Sequence, residues 1–296
     1  MKLSVTLSTL SLLAGAHAQA GFELPKIAFQ KVLADSIEGV VFKGNGLSSG
    51  IPDDDKMYLT SSEGTVLTIR QSDGEVLNEY QEIVVGGGGG EDLRCYTTVQ
   101  WDSASNNELG VFACSSSVFS TVTIINSDGN LHKKFQVEGR VQLQPMMRFG
   151  EVWVAHNDQS GNGHITRYNV ETATQTVEQS FPGALVSSVT RTSNDGVYFG
   201  TNTGEVHYID YLDPNGSGMI DSGFTGILGS PYANPGGTNL VVPTQAAELL
   251  MWSTNGGGIP PGTSPNVIRP LPGGISGCKY IPYICWTCLR VSECTF

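Results

Sequence analysis

A nine-residue stretch, residues 213–221, carries the side chains that a calcium ion prefers. Its sequence, DPNGSGMID, places oxygen-bearing side chains at relative positions 1, 3, 5 and 9, with glycine at position 6. Calcium loops begin in this way, because such oxygens on alternate residues can converge on one ion. The predicted ligands are Asp213, Asn215, Ser217 and Asp221. Position 12 is Phe224, so the bidentate glutamate of a helix–loop–helix calcium site is absent.

The same stretch supports a second chemistry. Asn215-Gly216-Ser217 is the only N-glycosylation sequon in the chain, and such a sequon marks a surface loop in a secreted protein. A glycan on Asn215 would exclude calcium, because the modified amide could no longer approach the ion. Calcium ligation and glycosylation of Asn215 therefore remain alternatives.

Two other groups of residues have the types needed for catalysis. Residues 46–50 fit the G-x-S-x-G pattern of hydrolase nucleophiles, but that mechanism needs a following helix, and Pro52 with three aspartates follows instead. His156 and His164 flank the loop of one expected hairpin and could approach each other. Surface positions remain the favoured interpretation for them and for His132 and His207, the other histidines that follow the N-terminal 20 residues.

Six cysteines indicate disulfide bonds if the chain is secreted. Cys95 and Cys114 flank a loop centred near residues 104–105, and antiparallel pairing about that centre places them opposite each other, with Trp101 opposite Glu108. The sequence therefore predicts a Cys95–Cys114 disulfide. The other four cysteines lie within residues 278–294 and allow three connectivities. Residues 285–288 form a C-x-x-C motif, but neither a redox fold nor zinc-finger spacing surrounds it.

The elements that must position these residues recur along the chain. Five hairpins of β-branched and aromatic residues have first strands that begin near residues 57, 111, 152, 197 and 240. A shorter strand precedes most hairpins, and a weaker strand follows most of them. Units of about 40–50 residues with several strands each are typical of propeller blades. The sequence therefore predicts an all-β fold, a β-propeller of four-stranded antiparallel blades with about five recognisable; a β-sandwich is the alternative.

One unit, residues 187–216, reads SSVTRTSNDGVYFGTNTGEVHYIDYLDPNG. It resembles the pyrroloquinoline-quinone repeat of the quinoprotein-like propellers, and the matching residues are Asp195-Gly196, 198–201, Gly204 and 208–210. The likeness covers about residues 50–256, is good in this unit and is diffuse in the other four. The likeness is specific for architecture rather than for activity. It also offers another interpretation of residues 213–216, as an ordinary turn of the repeat.

The resemblance implies a test for one activity. Quinone-dependent dehydrogenases of this family bind pyrroloquinoline quinone on the propeller axis, near calcium and a catalytic acid, and several have adjacent cysteines there. No two cysteines are adjacent in this chain. Nine-residue calcium loops occur in integrin-type propellers, and residues 213–221 also resemble such a loop. Calcium and pyrroloquinoline quinone are therefore the candidate cofactors, and neither is assigned firmly.

The N-terminus and the charge indicate where the protein acts. Residues 1–20 contain Lys2, an apolar run and small residues at the end, as a secretory signal peptide does. Its apolar core is too short to span a bilayer, so we expect a secreted chain. The formal net charge is −12, and the sequence has no basic patch, which argues against binding nucleic acid or anionic membranes.

The expected domains are a signal peptide (1–20), a propeller (21–256), and a Pro/Gly-rich link with a cysteine-rich tail (257–296). The tail lacks the blade pattern, so it is either a disulfide-bonded cap or the altered end of a longer propeller, and the second is favoured. Residues 39–42 could close the ring as one strand, and any helix is expected near 27–34. We otherwise expect an open or poorly closed ring.

These observations favour a non-catalytic function. We expect a secreted quinoprotein-like β-propeller that binds a protein or glycan partner. The alternative is an enzyme, either a quinone-dependent oxidoreductase or a propeller hydrolase.

Overall fold

The structure is a computed structural model that describes most of the repeat region. The described residues are 37–42, 56–61, 64–70, 73–82, 94–95, 100–101, 109–116, 118–141, 145–187, 189–191, 196–210, 217–226, 231–233, 239–246, 248–253 and 259–268. The signal-like segment, the G-x-S-x-G motif, Asp213, Asn215, residues 27–34 and the four cysteines of the tail lie outside them.

The described strands form five antiparallel sheets, and the first two come from the N-terminal half. The first sheet contains β1 (Ile37–Phe42), β2 (Lys56–Ser61), β3 (Thr65–Arg70) and β4 (Val76–Gln81) in that order. The second sheet contains β5 (Arg94–Cys95), β6 (Gln100–Trp101), β7 (Leu109–Ser115), β8 (Phe119–Asn126) and β9 (Leu131–Glu138). Both β5 and β6 pair with β7.

The remaining three sheets follow the same plan. The third sheet contains β10 (Arg140–Val141), β11 (Met146–Arg148), β12 (Glu151–Asn157), β13 (Gly163–Asn169) and β14 (Thr174–Phe181). The fourth contains β15 (Thr190–Arg191), β16 (Gly196–Gly200), β17 (Val206–Asp210) and β18 (Gly218–Asp221). The fifth contains β19 (Tyr232–Ala233), β20 (Asn239–Pro243), β21 (Leu249–Ser253) and β22 (Asn266–Ile268).

The all-β prediction is confirmed for the described part of the chain, which contains strands and turns and no helix. Accordingly, these residues include no helix long and apolar enough to cross a membrane. The predicted hairpins correspond to β2–β3, β7–β8, β12–β13, β16–β17 and β20–β21. Alternating β-branched and aromatic residues account for this agreement, since they fit a sheet with both faces covered.

Apolar side chains join each sheet to the next. Between the second and third sheets, Val111, Val122 and Ile124 face Val152 and Val154, and all five are fully buried. Similar clusters join the first sheet to the second, the third to the fourth and the fourth to the fifth. Burying apolar area contributes about 25 cal/mol per Å², so these face-to-face contacts hold the sheets in sequence order.

A recurrent hydrogen bond fixes one hairpin in each of four sheets: β2–β3, β12–β13, β16–β17 and β20–β21. The side-chain oxygen of the residue at or just after the end of the hairpin's first strand accepts the backbone N–H four residues later. The pairs are Ser61 and Thr65, Asp158 and Asn162, Thr201 and Glu205, and Thr244 and Glu248. We call the end of each sheet that carries this hairpin the hairpin end and the opposite end the turn end. The third sheet differs from the other three because its acceptor is a carboxylate.

The structure corrects the predicted register around Trp101. Cys95 pairs with Cys114 as predicted, but Trp101 pairs with Gly110, so the predicted pairing of Trp101 with Glu108 is wrong. The pairing β5–β7 and the pairing β6–β7 differ in register by two residues. Residues 96–99 lie between the two short strands in the sequence. Pairing residues symmetrically about one loop centre cannot predict such a change of register.

The two ends of the repeat region also differ from expectation. The segment predicted to close the ring, residues 39–42, belongs to β1, which pairs with β2 within the first sheet. At the other end, β22 pairs with β21, so the fifth sheet extends past residue 256, where the sequence pattern ends. Three residues next to prolines and glycines give too little alternation for a strand to be recognised.

Candidate functional site at the ends of the third sheet

The predicted disulfide is confirmed. The two sulfur atoms of Cys95 and Cys114 are 2.04 Å apart, and the two cysteines are 1% and 0% exposed. They belong to the apolar cluster that joins the first two sheets. The bond therefore links strands inside this junction, where solutes do not reach it in the folded protein.

A buried carboxyl group, Glu82, lies close to this disulfide and was not found from the sequence. Its Oε2 accepts hydrogen bonds from the hydroxyl of Thr123 at 2.5 Å and from that of Tyr80 at 2.8 Å. The ammonium group of Lys134 lies 3.5 Å from its Oε1. Burial, together with the hydrogen bond to Glu82, raises the pKa of Tyr80. These contacts join β4 to β8 and β9, so the group links the first sheet to the second.

The two histidines of the third hairpin meet, which their positions beside the loop allowed, but their environment differs from the expected surface. His156 and His164 pair across β12 and β13, and their rings stack with centroids 5.1 Å apart. His156 is 5% exposed, so the surface interpretation is wrong for it. Its Nδ1 donates to the carbonyl oxygen of Glu138, and its Nε2 accepts from the hydroxyl of Thr166, both at 2.7 Å. Burial, with a smaller contribution from the neighbouring His164, lowers the pKa of His156 to about 4.

His164 lies in the middle of a Ser–His–Asp array at the hairpin end of the third sheet. Its Nε2 is 3.2 Å from Oδ2 of Asp158, and its Nδ1 is 3.1 Å from Oγ of Ser180. A carboxylate can only accept, so in the neutral ring Nε2 carries the proton and Nδ1 accepts from the Ser180 hydroxyl. Hydrogen bonds from the backbone and side chain of Asn162 lower the pKa of Asp158. The order of groups is that of a nucleophile, a base and an orienting acid.

The register of β13 with β14 shifts close to the pair that brings Ser180 to this array. Ser180 pairs directly with His164, and the register of β13 with β14 changes between Ile165 and Thr166. A hairpin signal alone does not locate such a shift, so the sequence indicated the histidine pair but not its serine partner.

A third histidine, His207, is also buried, which corrects the surface interpretation for it as well. It is 6% exposed, stacks on Phe199 with centroids 5.3 Å apart and has Phe181 at its edge. Its Nε2 is 3.0 Å from a carboxyl oxygen of Glu205, while its Nδ1 has no hydrogen-bond partner. Burial lowers the pKa of His207. It packs between the third and fourth sheets as a neutral ring.

Two of the four predicted calcium ligands fall in the described residues. Ser217 precedes β18, and its hydroxyl accepts the backbone N–H of Asp210 at 2.9 Å. Asp221 ends β18 and pairs with Val206. Asp213 and Asn215 lie outside the described residues, so the calcium site stays a prediction.

The turn end of the third sheet carries an exposed aromatic residue in an unusual conformation. Phe149 is 56% exposed and has a φ of 52°. It forms, with Gly150 at a φ of 71°, the two-residue connection between Arg148 and Glu151, which pair with each other. The Arg148 guanidinium carbon lies 4.7 Å from the centre of the Phe149 ring. The sequence Arg-Phe-Gly-Glu lacks the Asn-Gly signal of such turns, so sequence reasoning missed this site.

The fold is similar to that of known β-propellers. The β-propeller domain of Cps50 (Swd1) from Myceliophteria thermophila superposes with a TM-score of 0.59 at 13% sequence identity, covering 83% of this chain and 75% of that chain. The structure of U3-55K superposes with a TM-score of 0.57 at 11% identity, covering 81% of this chain and 66% of that chain. No known protein family matches the sequence, and no curated protein sequence matches it. At such identities the likeness defines the fold alone: the described sheets have a propeller fold.

Proposed function

We propose that this protein is a secreted, non-catalytic β-propeller of the quinoprotein-like class that binds a protein or glycan partner. Each of the five sheets then acts as one blade. A signal-like N-terminus and a buried disulfide both suit an oxidising, extracellular location. A propeller fold supplies rigid sheets whose connecting turns can bind a partner.

One observation carries the proposal: Glu82, His156 and His207, three described side chains that could do chemistry, are engaged in holding the sheets together. Glu82 connects the first sheet to the second through Thr123 and Lys134. His156 connects the third sheet to the second through the Glu138 carbonyl. His207 packs between the third and fourth sheets. Groups whose hydrogen bonds already stabilise the fold are poorly placed to bind or protonate a substrate, whereas the exposed Phe149 is well placed for contact.

A propeller hydrolase is the second candidate, and the Ser180–His164–Asp158 array is the observation that favours it. In a serine hydrolase, the serine attacks an acyl carbon while the histidine takes its proton. Ser180 is exposed on β14, the outer strand of its sheet. At such a position water has free access, and a substrate would gain little from burial. We therefore favour a structural role, in which Ser180 and Asp158 hold the His164 ring against His156.

Two assays on the secreted protein test this function. A fluorophosphonate probe reacts with activated serines, so we expect no labelling of wild type beyond that of a Ser180→Ala variant. Reconstitution with pyrroloquinoline quinone and calcium, followed by dye reduction with simple alcohols and sugars, should show no turnover. Labelling at Ser180 would establish the hydrolase instead, and quinone-dependent turnover would establish the oxidoreductase.

A further inference from the structure

One histidine fastens the hairpin end of the third sheet to the second sheet. His156 is 5% exposed, and its Nδ1 donates to the carbonyl oxygen of Glu138, the last residue of β9. Its Nε2 accepts from the hydroxyl of Thr166, which is itself fully buried. A proton added at Nε2 would turn this acceptor into a donor that faces another donor. The hydrogen bonds around His156 therefore suit the neutral ring.

A second histidine fastens the same end of the third sheet to the fourth sheet. His207 is 6% exposed, stacks on Phe199 of its own sheet and meets the edge of Phe181, the last residue of β14. Its Nε2 donates to the carboxylate of Glu205 at 3.0 Å, so Nδ1 carries no proton in the neutral ring. This Nδ1 is buried without a hydrogen-bond partner. Protonation of His207 would therefore bury a donor that has no acceptor, which costs free energy.

The two histidines meet neighbouring positions of one strand. Ser180 donates to Nδ1 of His164, and the ring of His164 stacks on that of His156. The next residue of the strand, Phe181, contacts His207. The strand, β14, is the outer strand of its sheet, so these side chains on its two faces supplement its pairing with β13. Release of either histidine removes part of what holds this strand end in place.

The groups that face the two histidines do not offset their burial. His164 and Asp158 act on His156 from its own sheet, and Glu205 acts on His207 from its own sheet. The neighbouring sheets contribute a backbone carbonyl and an aromatic ring to these sites. Burial is the largest cause in both cases: it lowers the pKa of His156 to about 4 and also lowers that of His207. An exposed histidine titrates near 6.5, so opening of either site takes up protons in mild acid.

We infer that the hairpin end of the third sheet is an acid-sensitive clamp, which separates from the second and fourth sheets near pH 5 while the rest of the propeller stays folded. Protons bind when the strand end opens, and the charged imidazoles then disfavour its return. The opening exposes the apolar faces that meet at Phe181 and Phe199. This clamp goes beyond the proposed binding function and does not depend on it, because it needs no partner.

Hydrogen exchange of the protein, followed by mass spectrometry at pH 7 and pH 5, tests the clamp. Each protection factor is corrected for the intrinsic exchange rate at that pH. We expect the protection factors of β12 and β13 to fall by about 20-fold, which follows from pKa values of 6.5 in the opened state and about 4 in the closed state. Those of β16 and β17 should fall in the same direction. The β2–β3 hairpin contains no histidine and should change by less than about threefold.

Two substitutions assign the effect to the two rings. In His156→Gln the amide can still donate and accept but does not titrate, so the pH-dependent fall in β12 and β13 should shrink to less than about threefold. In His207→Phe an aromatic ring stays in place without a titratable nitrogen, and the fall in β16 and β17 should shrink likewise. His132→Gln, at an exposed position on β9, is the control and should keep the wild-type pattern. Each variant is compared with itself at the two pH values, so a general loss of stability does not alter the interpretation.

Three results would overturn the clamp. An equal fall of protection in all five sheets would show that acid acts through global unfolding alone. Third and fourth sheets that keep their protection at pH 5 would show that the two junctions do not open. A pH-dependent fall that persists in both variants would assign the effect to other groups.

Discussion

Buried histidines make the stability of this protein depend on pH. The pKa of His156 is lowered to about 4, whereas an unfolded histidine titrates near 6.5. The unfolded chain therefore binds more protons between these values, and stability falls as pH decreases from 6.5 toward 4. Below that window the group contributes about 3 kcal/mol less than at neutral pH. His207, whose pKa is also lowered by burial, adds in the same direction.

The prediction is that urea unfolding shows a loss of about 2 kcal/mol from His156 alone between pH 7 and pH 5. In His156→Gln this part of the loss should disappear, because the amide does not titrate. His132→Gln, at an exposed position on β9, is the control and should keep the wild-type slope. An unchanged slope in His156→Gln would contradict the buried, neutral state of the ring.

The residues that could be predicted from the sequence share one property: their position depends on simple antiparallel pairing. Cys95 and Cys114 pair across a symmetric loop, and His156 and His164 flank a short hairpin. Glu82 could not be predicted, because its partners Thr123 and Lys134 come from another sheet. Burial of the histidines was missed for the same reason, since the covering groups belong to neighbouring sheets.

At the scale of elements, the hairpins at the hairpin end of the sheets depend on glycines. The space around the glycine differs from one hairpin to another. Gly204 and Gly161 occupy the same place in equivalent hairpins, with φ angles of 89° and 81°. A Cβ on Gly204 would lie 1.8 Å from the carbonyl oxygen of Phe224, whereas a Cβ on Gly161 would meet nothing within 4 Å. Phe224 packs edge-on against Trp252 of the fifth sheet, so Gly204 lies at a junction between sheets.

These two glycines give a matched prediction. Gly161→Ala should lower the free energy of unfolding by about 1–2 kcal/mol, which is the conformational penalty alone. Gly204→Ala should lower it by about 2 kcal/mol more, because the backbone of the next segment must also move. Equal effects in chemical denaturation would show that the Phe224 backbone does not pack against Gly204.

Strand boundaries could be predicted where the alternation of residue types is strong. The prediction failed where strands are short. The central strands β7, β12 and β16 are almost wholly buried, and their apolar runs identify them. By contrast, β15 has two residues, and in the described residues before it Val186 forms an isolated bridge with Thr201. The phenylalanine turn at 149–150 was missed because it breaks the residue preferences on which turn prediction depends.

At the scale of the whole molecule, repetition was the most reliable signal. Five units with similar hairpins predicted five sheets, and the sheets pack in sequence order through the clusters between them. Among the described residues, none of these clusters joins the fifth sheet to the first. Ring closure depends on contacts between the two ends of the chain, which local periodicity does not encode.

The proposed function assigns the exposed Phe149 to contact with a partner rather than to the stability of the propeller. The most direct test is the thermal unfolding midpoint of a Phe149→Asn variant. Asparagine relieves about 1 kcal/mol of left-handed strain, while loss of the ring's contacts, that with Arg148 among them, offsets about 0.5–1 kcal/mol. We therefore expect the variant to melt at the wild-type temperature or slightly above it. A structural phenylalanine would instead contribute about 3–5 kcal/mol, so a midpoint lower by roughly 6 °C or more would contradict the account.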